Sequence, residues 1–487
     1  MKAGRSQFLA AGALVGALAL HFTAFAQSAH WDELSKLPFK ESFPTREASA
    51  QLYGELQFQR AVQVYLWALP AMNTVAMRDG QAATFGGGNN VLAVFKDRPN
   101  AKTIILTANP DVIYGLAFVD LKDGPVVLEA APEMQGLLDD FWQRPLTDVG
   151  LAGPDKGKGG KYLLLPPGYT GETPGGYFVM KPPTYGVFVF LRAFLDDGKT
   201  DAGVKLMERT RIYSLAQKDH PPAMQFPNAS AVPSDYDFKR DLRYFASLAQ
   251  FLDHEPVAPE DIAMRGMAAS LGIVKGQPFQ PDERMKAMLN TAANVAFKMA
   301  AVDSYDSRSP NKLIYPDRKW EAVFLGGSPV FRQESYLDFD AMINFFHKAF
   351  ATSASMVLEM PGKGSQYLLG VRDAEGDYLS GGTSYRLHIP ANVPVANYWS
   401  VVLYDADTRS MLDNGQPFPS IASNSNLKLN PDGSSDIWFG PTAPKAANAN
   451  WIKTVPGRGY FAGIRLYAPT QTFYDKQWKP DDIVKVP

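Results

Sequence analysis

The chain has 487 residues, of which 46% are apolar and 20% are charged, and its formal net charge is -2. This is the composition of a soluble globular protein, and its length allows two to four domains at roughly 100–200 residues each. The balanced charge argues against a nucleic-acid-binding protein. The lack of cysteine in the sequence excludes disulfides, thiolate metal centres and cysteine nucleophiles.

The first 26 residues have the pattern of a secretory signal peptide. Lys2 and Arg5 precede an apolar run from Phe8 to Leu20, and Ala24–Ala26 gives a small-residue cleavage site before Gln27. The alternative is a membrane anchor, but the apolar run is short for a bilayer core about 30 Å thick. We therefore expect an exported, periplasmic protein without a transmembrane segment after cleavage.

Residues 27–80 are predicted to form a polar arm followed by two helices. Apolar residues recur at helical spacing after Thr45, which is a weak N-cap. Pro70 should kink or end the first helix. The second helix is predicted to continue to Arg78 and to stop at Gly80.

Residues 81–196 contain short β-rich runs separated by glycine, proline and aspartate. Regularly spaced short strands of this kind predict a β-sandwich. The predicted strands lie in the runs KTIILT, VIYGLAFVDL, GPVVLEA, KYLLLPPGY, GGYFVMKP and YGVFVFLRAFL.

Residues 197–306 show helical periodicity and are predicted to be mostly helical, including the segment Asp201–Gln217. Residues 307–487 return to strands after one more helix, over residues 336–357. This last region is predicted to be a second all-β domain, a jelly roll. Its strands lie in SQYLLGVRD, TSYRLHIP, NYWSVVLYD, DIWFG and YFAGIRLYAP.

Several of these segments resemble one known family. AVQVYLWALPAMNTV, TANPDVIYGLAFVDL and GKYLLLPPGY are similar to DUF1254 domains, and YRLHIPANVPVANYWSVVLYDADTRSMLDN and LNPDGSSDIWFGP are similar to DUF1214 domains. The resemblance implies an exported protein with an N-terminal β-sandwich, a helical middle region and a C-terminal jelly roll. It implies no activity. The chain departs from the family motif at Pro110 and Val112, where the family has Ala and Thr, and it has no histidine near Phe95.

The motif NPDVIY contains the strongest catalytic candidates of the first domain. Asn109 and Asp111 would share one face of an extended strand, and Tyr114 would lie on the other. Asp111 could act as a general base, Tyr114 could stabilise developing negative charge, and Asn109 could orient a polar substrate. The alternative is a turn that caps the strand beside a core tyrosine.

The stretch ANYWSVVLYDADTRSMLDNGQ contains the candidates of the second domain. In strand register, Trp399 and its alternate neighbours should face the core, whereas Tyr398 and Tyr404 should line the other face, which could be a groove. Tyr404, Arg409 and Asn414 are the predicted substrate-binding residues. Arg465 is added as a further catalytic candidate, because an enzyme acting on a small substrate could use an arginine beside Asp111.

No metal or cofactor is predicted. The histidines after residue 26 do not have metal-ligand spacing, and the sequence has neither a nucleophile elbow nor a dinucleotide fingerprint. The segment 430–436, NPDGSSD, resembles part of a calcium loop, but the bidentate glutamate expected six residues later is missing. An Asx-turn explains the same residues.

Two functions remain open at this point. The first is a periplasmic module that binds a carbohydrate or another small polar or aromatic ligand. The second is a cofactor-independent hydrolase or lyase that uses Asp111, Tyr114 and Arg465. The sequence does not decide whether the protein is an enzyme, and it leaves homo-oligomerisation open. Convergence of these three residues on one enclosed polar cavity would favour the enzyme.

Overall fold

The computed structural model describes residues 29–425, 427–445 and 449–486. The predicted signal peptide, residues 1–26, lies outside them. Within these ranges, no helix is long and apolar enough to cross a membrane.

The first half of the chain forms a sandwich of two sheets. The strands of the five-stranded sheet are, in spatial order, Ala93–Val94, Val112–Asp120, Gly186–Phe194, Gln135–Asp140 and Pro145–Val149. The strands of the four-stranded sheet are Phe178–Met180, Gly160–Leu164, Val126–Ala130 and Arg211–Ser214. The apolar residues that alternate along these strands meet between the two sheets.

The second half of the chain forms another sandwich of five and four strands. The larger sheet contains Glu321–Ala322, Ser365–Gly370, Tyr460–Tyr467, Trp399–Asp405 and Ser420–Ala422. The smaller sheet contains Asn450–Lys453, Ser435–Gly440, Tyr385–Ile389 and Val484–Lys485. The fold-class prediction, two β-sandwich domains with a helical region, is confirmed.

The helices form a layer beside the two larger sheets. They are Arg46–Trp67, Leu69–Phe85, Leu242–His254, Ile262–Ala269, Glu283–Tyr305, Phe339–Lys348 and Ala354–Val357. Two short helices, Asp201–Met207 and Gln471–Tyr474, instead pack through Met207 and Phe473 into the interiors of the first and second sandwich. The helix Glu283–Tyr305 packs against both Arg46–Trp67 and Phe339–Lys348. One apolar core joins these helices to residues of both larger sheets.

The strand Trp399–Asp405 shows how the second sandwich meets this shared core. Trp399, Val401 and Leu403 point into the interior of the sandwich. Tyr398 and Tyr404 point away from it, into the core shared with the helices and the first sandwich. The predicted division of the two faces is therefore present, and both faces are buried.

Three local predictions were wrong. The segment Asp201–Gln217 is helical only to Met207, because Arg211–Ser214 pairs with Val126–Glu129 at the edge of the smaller sheet. The strands Gln135–Asp140 and Pro145–Val149 were missed.

The third error concerns the end of the second N-terminal helix. Gly80 lies inside the helix Leu69–Phe85 and does not end it. A Cβ atom at Gly80 would lie 2.4 Å from the carbonyl oxygen of Asp235. The glycine therefore allows the helix to approach the neighbouring strand closely, and the helix ends at Gly86.

Candidate ligand pocket between the two domains

A pocket lies where the two larger sheets and the helical layer meet. Strands and loops of the first sandwich provide Thr107, Tyr114, Phe190 and Arg192. The helical layer and the segments beside it provide Val323, Phe324, Phe345, Lys348, Ala349, Phe350 and Met356. The second sandwich provides Tyr367, Leu369, Tyr404, Gly463, Ile464 and Arg465. The pocket thus needs both sandwiches.

The pocket is narrow. Its cavity volume is about 50 Å³. The wider concave region, including the open mouth, is about 610 Å³. Such a space fits a small group as it stands. Met356 forms part of the wall, and its unbranched side chain can change rotamer to admit a larger group.

Strand register brings the polar residues together. Arg192 is the direct cross-strand partner of Tyr114 in the first sandwich, and Arg465 is the partner of Tyr367 in the second. Direct cross-strand partners have Cβ atoms about 4.5–5.5 Å apart on the same face. Each domain therefore presents one arginine–tyrosine pair to the pocket.

Gly463 makes room beside the second of these pairs. A Cβ atom at this position would lie 3.2 Å from Cε2 of Tyr404. The glycine lets the Tyr404 ring lie against the strand, where its hydroxyl can meet Arg465.

Arg465 is held by neutral oxygen atoms. Its Nη1 donates to the carbonyl oxygen of Thr107 at 2.9 Å and to the Tyr404 hydroxyl at 3.0 Å. Its Nε donates to the Tyr467 hydroxyl at 3.2 Å. The guanidinium is thus held in place by neutral hydroxyl and carbonyl groups, which leave its positive charge unpaired.

Arg192 has fewer partners. Its Nη2 lies 3.5 Å from the sulfur of Met356, and its guanidinium lies 5.0 Å from the centre of the Phe190 ring. Its Nε is buried without a hydrogen-bond partner in the part of the chain that the structure describes.

The hydroxyls of Tyr114 and Tyr404 are neutral at physiological pH. Burial raises the pKa of Tyr404 to about 12, although the nearby Arg465 lowers it. Burial also raises the pKa of Tyr114, with Arg465 again opposing the shift. Both hydroxyls are poor bases near pH 7, and the Tyr404 hydroxyl already donates to the carbonyl oxygen of Ala108 at 3.0 Å.

Lys348 is the third basic residue of the pocket. It is 1% exposed, and its Nζ donates to the side-chain oxygen of Asn344 at 2.6 Å and to the carbonyl oxygen of Ser304 at 3.3 Å. Burial lowers the pKa of the Lys348 amine to about 8, although the charges of Glu321 and Asp303 oppose the shift.

The lowered pKa of Lys348 predicts a specific pH dependence of stability. Below pH 8 the amine is charged in both states, and burying that charge costs the folded state stability. Between pH 8 and 10.5 the unfolded chain binds more protons, so stability rises with pH. Relative to Lys348→Met, the wild-type protein should therefore gain about 3 kcal/mol between pH 7 and pH 10.5.

Denaturant unfolding of both proteins across this pH interval measures that gain. Lys298→Met, which removes an exposed lysine from the helix Glu283–Tyr305, serves as the control. A stability difference between wild type and Lys348→Met that does not change with pH would contradict the prediction.

Asn109 lies directly behind the pocket and joins the two domains. Its Nδ2 donates to the hydroxyls of Tyr467, at 2.5 Å, and Tyr398, at 3.2 Å. Its backbone N–H donates to the Tyr114 hydroxyl at 3.1 Å. Asn109 thus contacts Tyr114 of the lining directly and Arg465 through Tyr467, and it does not itself line the pocket.

The carboxylate of Asp111 points away from the pocket. It accepts hydrogen bonds from Arg98 at 2.6 Å and from the Ser420 hydroxyl at 2.8 Å, so it links the first domain to the second. Burial raises the pKa of Asp111, and the charge of Arg98 opposes the shift. Of the three residues whose convergence on one cavity would favour an enzyme, Tyr114 and Arg465 line the pocket and Asp111 does not.

Arg409 and Asn414 also lie outside the pocket lining. Arg409 is fully buried and donates to both oxygens of Asp237, at 2.7 and 3.1 Å. Asn414 donates to the carbonyl oxygen of Lys453 at 2.7 Å. Of the predicted substrate-binding residues, Tyr404 alone lines the pocket.

Sequence reasoning missed Arg192 and Lys348. Both had a usable signal, because each is a lone cation in an apolar run: GVFVFLRAF for Arg192 and INFFHKAF for Lys348. A charged side chain in a segment that must be buried needs a partner or a function.

The possible calcium loop forms a hydrogen-bonded turn. Asn430 and Ser434 pair through their backbones at 2.8 Å, and the Ser434 N–H donates to Asp432 at 3.0 Å. Elsewhere, the carboxylates of Asp373, Glu375 and Asp377 lie together, and Lys485 pairs with all three.

The comparisons with known proteins agree with the two-domain architecture. Residues 89–214 match the family DUF1254, and residues 364–471 match the family DUF1214, both described as proteins of unknown function. The chain is a two-domain DUF1254/DUF1214 protein. A search of curated proteins found no match. In this DUF1254/DUF1214 protein, Tyr114 and Arg192 belong to the first family region, and Tyr404 and Arg465 to the second.

Two solved structures are similar to this DUF1254/DUF1214 protein. One is the VPA0106 protein from Vibrio parahaemolyticus, with 16% identity and a TM-score of 0.54 over 88% of this chain and 100% of that chain. The other is an uncharacterized protein from Burkholderia cenocepacia, with 14% identity and a TM-score of 0.39 over 90% of this chain and 97% of that chain. The first likeness supports the fold alone.

Proposed function

We propose that this DUF1254/DUF1214 protein binds a small ligand, with an apolar or aromatic body and one polar group, in the pocket between its domains. The observation that carries the proposal is the composition of the pocket lining. Phenylalanine, methionine and aliphatic side chains line most of it, together with a few tyrosines and basic side chains. Apolar pockets with a few convergent polar groups are typical ligand sites.

An aromatic or branched aliphatic body suits the pocket better than a carbohydrate does. A sugar needs hydrogen-bond partners around its whole ring, whereas Phe190, Phe324, Phe345 and Phe350 offer none. The narrow space also disfavours a bulky hydrated ring. Of the two ligand classes expected from the sequence, we therefore favour the small polar or aromatic one.

The alternative of a hydrolase or lyase stays a prediction. Its proposed base, Asp111, is engaged by Arg98 and Ser420 and does not line the pocket, although the neutral Tyr114 hydroxyl could still donate to developing negative charge. The pocket can bind and orient a ligand with these residues as they stand, which is why we favour binding over catalysis.

Export to the periplasm is likewise proposed from the signal-like N-terminus, and N-terminal sequencing of protein from the cell envelope tests it.

A blocked-pocket variant tests the binding proposal. Val323→Trp should fill the pocket mouth, because Val323 is a partly exposed lining residue. Thermal shift and calorimetry would use a panel of benzoate, benzamide, benzyl alcohol, isobutyrate and glucose. We expect at least one of the aromatic or branched compounds to bind wild type, and Val323→Trp to abolish this binding.

The matched control is Val330→Trp, which adds the same ring at a residue that is 40% exposed and does not line the pocket. It should bind as wild type does. Binding of glucose alone, or binding that survives Val323→Trp, would contradict the proposed site.

A further inference from the structure

We infer that the polar part of the pocket recognises a carboxylate, so that the ligand is a small aromatic or branched aliphatic acid bound between Arg192 and Arg465. The inference rests on the proposed function, since it concerns the same pocket. It adds the chemical class of the ligand and the residues that select it.

The two arginines carry charge that the described residues do not pair. Neither Arg192 nor Arg465 forms a salt bridge with a described carboxylate, and their contacts are with hydroxyls, a carbonyl oxygen and a sulfur atom. Several other buried or partly buried arginines are paired with carboxylates, although Arg265, like the two pocket arginines, has no salt bridge among the described residues. The paired arginines include Arg98 with Asp111, Arg144 with Asp261, Arg240 with Asp407 and Arg409 with Asp237.

Arg192 points to a missing acceptor more directly. Its Nε is a buried donor without a partner in the described ranges, and its Nη2 meets only the weak acceptor sulfur of Met356. An unsatisfied buried donor costs stability, and more so on a charged group. A ligand oxygen in the pocket would satisfy it.

The described lining residues include basic side chains but no carboxylate, although the charges of Glu321 and Asp303 act on Lys348 from outside the lining. Lys348 adds a third basic group to the lining. Asp139 is close enough for the charge of Arg192 to act on it, but burial raises the pKa of Asp139 well above its usual range, which disfavours its charged form. Because charges interact strongly in such a low-dielectric site, the attraction between a bound anion and these cations is stronger than at the surface.

The walls favour a carboxylate over a larger anion. A carboxylate is small and planar and can accept two hydrogen bonds from a guanidinium fork. A phosphate would bring more acceptor atoms into a narrow space whose other walls are phenylalanine and methionine. The Tyr114 hydroxyl, which accepts from the backbone of Asn109, keeps its proton as a further neutral donor, whereas the Tyr404 hydroxyl already donates to the carbonyl oxygen of Ala108.

The test compares each acid with its neutral amide. Isothermal titration at pH 7 would measure benzoate against benzamide and isobutyrate against isobutyramide, since each pair has nearly the same shape. We expect each acid to bind wild type at least about tenfold more tightly than its amide.

Arg192→Gln is the informative variant. It keeps a polar side chain and removes the charge. It should fold normally, because Arg192 has no strong partner to lose. Arg211→Gln removes an exposed arginine of the first sandwich and is the control. Arg192→Gln should weaken benzoate binding about tenfold or more and leave benzamide binding unchanged, whereas Arg211→Gln should change neither.

The outcomes separate this inference from the proposed function. If no aromatic or branched compound binds, the proposed function fails and the inference fails with it. If an amide binds as tightly as its acid, and Val323→Trp blocks it, the proposed function stands and the carboxylate inference is overturned. Preferential acid binding that Arg192→Gln does not weaken would also overturn it, since the acid would then bind elsewhere.

Discussion

Replacing Arg409 by methionine should lower the free energy of unfolding by about 3–5 kcal/mol, without a change in ligand affinity. Arg409 is fully buried, and its guanidinium donates to both carboxylate oxygens of Asp237 and to the carbonyl oxygens of His347 and Asp407. Methionine fills similar space but leaves the Asp237 carboxylate buried, with Arg240 at 3.7 Å as its remaining cation.

The pH dependence of this loss has a definite sign. Burial already raises the pKa of Asp237, and the charge of Arg409 opposes the shift. Without Arg409 the pKa should rise further, so the folded variant binds a proton more readily than the unfolded chain. The deficit relative to wild type should then shrink as the pH falls.

Chemical denaturation at several pH values, together with calorimetry of benzoate binding, measures both parts of this prediction. Arg243→Met is the matched control, because Arg243 forms an exposed pair with Asp241 that should contribute little. A stable Arg409→Met protein that has lost benzoate binding would contradict the structural role of Arg409 and indicate a role in ligand binding.

Trp399→Ala should cost about 3–5 kcal/mol, as expected for loss of a large core side chain and the cavity that follows. Trp399 is 5% exposed and packs inside the second sandwich with Val401 and Leu403. The neighbouring strands cannot close the space, since their register is fixed on both sides of Trp399–Asp405.

Trp31→Ala provides the control for loss of a tryptophan, because Trp31 is 58% exposed and should change stability by less than about 0.5 kcal/mol. Unfolding in denaturant compares the two variants. A near-neutral Trp399→Ala would contradict the packing of Trp399 in the core of the second sandwich.

The sequence predicted those parts of the fold in which apolar spacing matches the local structure. The strands Val112–Asp120, Gly186–Phe194 and Trp399–Asp405 are dense in β-branched and aromatic residues, and all were found. The strand Gln135–Asp140 was missed because Asp139 and Asp140 occupy buried positions in it.

Those acids are tolerated through contacts that are distant in sequence. Asp139 accepts a hydrogen bond from the backbone of Thr352, and Asp148 of the next missed strand accepts one from Ser355. Residues 207 to 213 positions away cannot be inferred from local pattern. The position of Gly80 inside the helix Leu69–Phe85 could not be predicted for the same reason, because the segment that packs beside it contains residue 235.

For the site, the sequence identified Tyr114, Tyr404 and Arg465 as functional candidates but not their assembly. Their meeting depends on the docking of two sandwiches, which no local spacing encodes. Asp111 and Arg409 are charged residues in polar segments of the two motifs, which is a pattern typical of functional sites. Their partners, Arg98 with Ser420 and Asp237, make them links of the fold.

The central claim is that the pocket between the domains holds a small acid. A crystal structure with 4-bromobenzoate tests it most directly, because the anomalous signal of bromine locates the ligand independently of side-chain density. We expect the bromine among Phe190, Phe345 and Phe350, with the carboxylate within hydrogen-bond distance of Arg192 and Arg465. Bromine bound only elsewhere on the protein, under conditions in which calorimetry shows saturation, would contradict the claim.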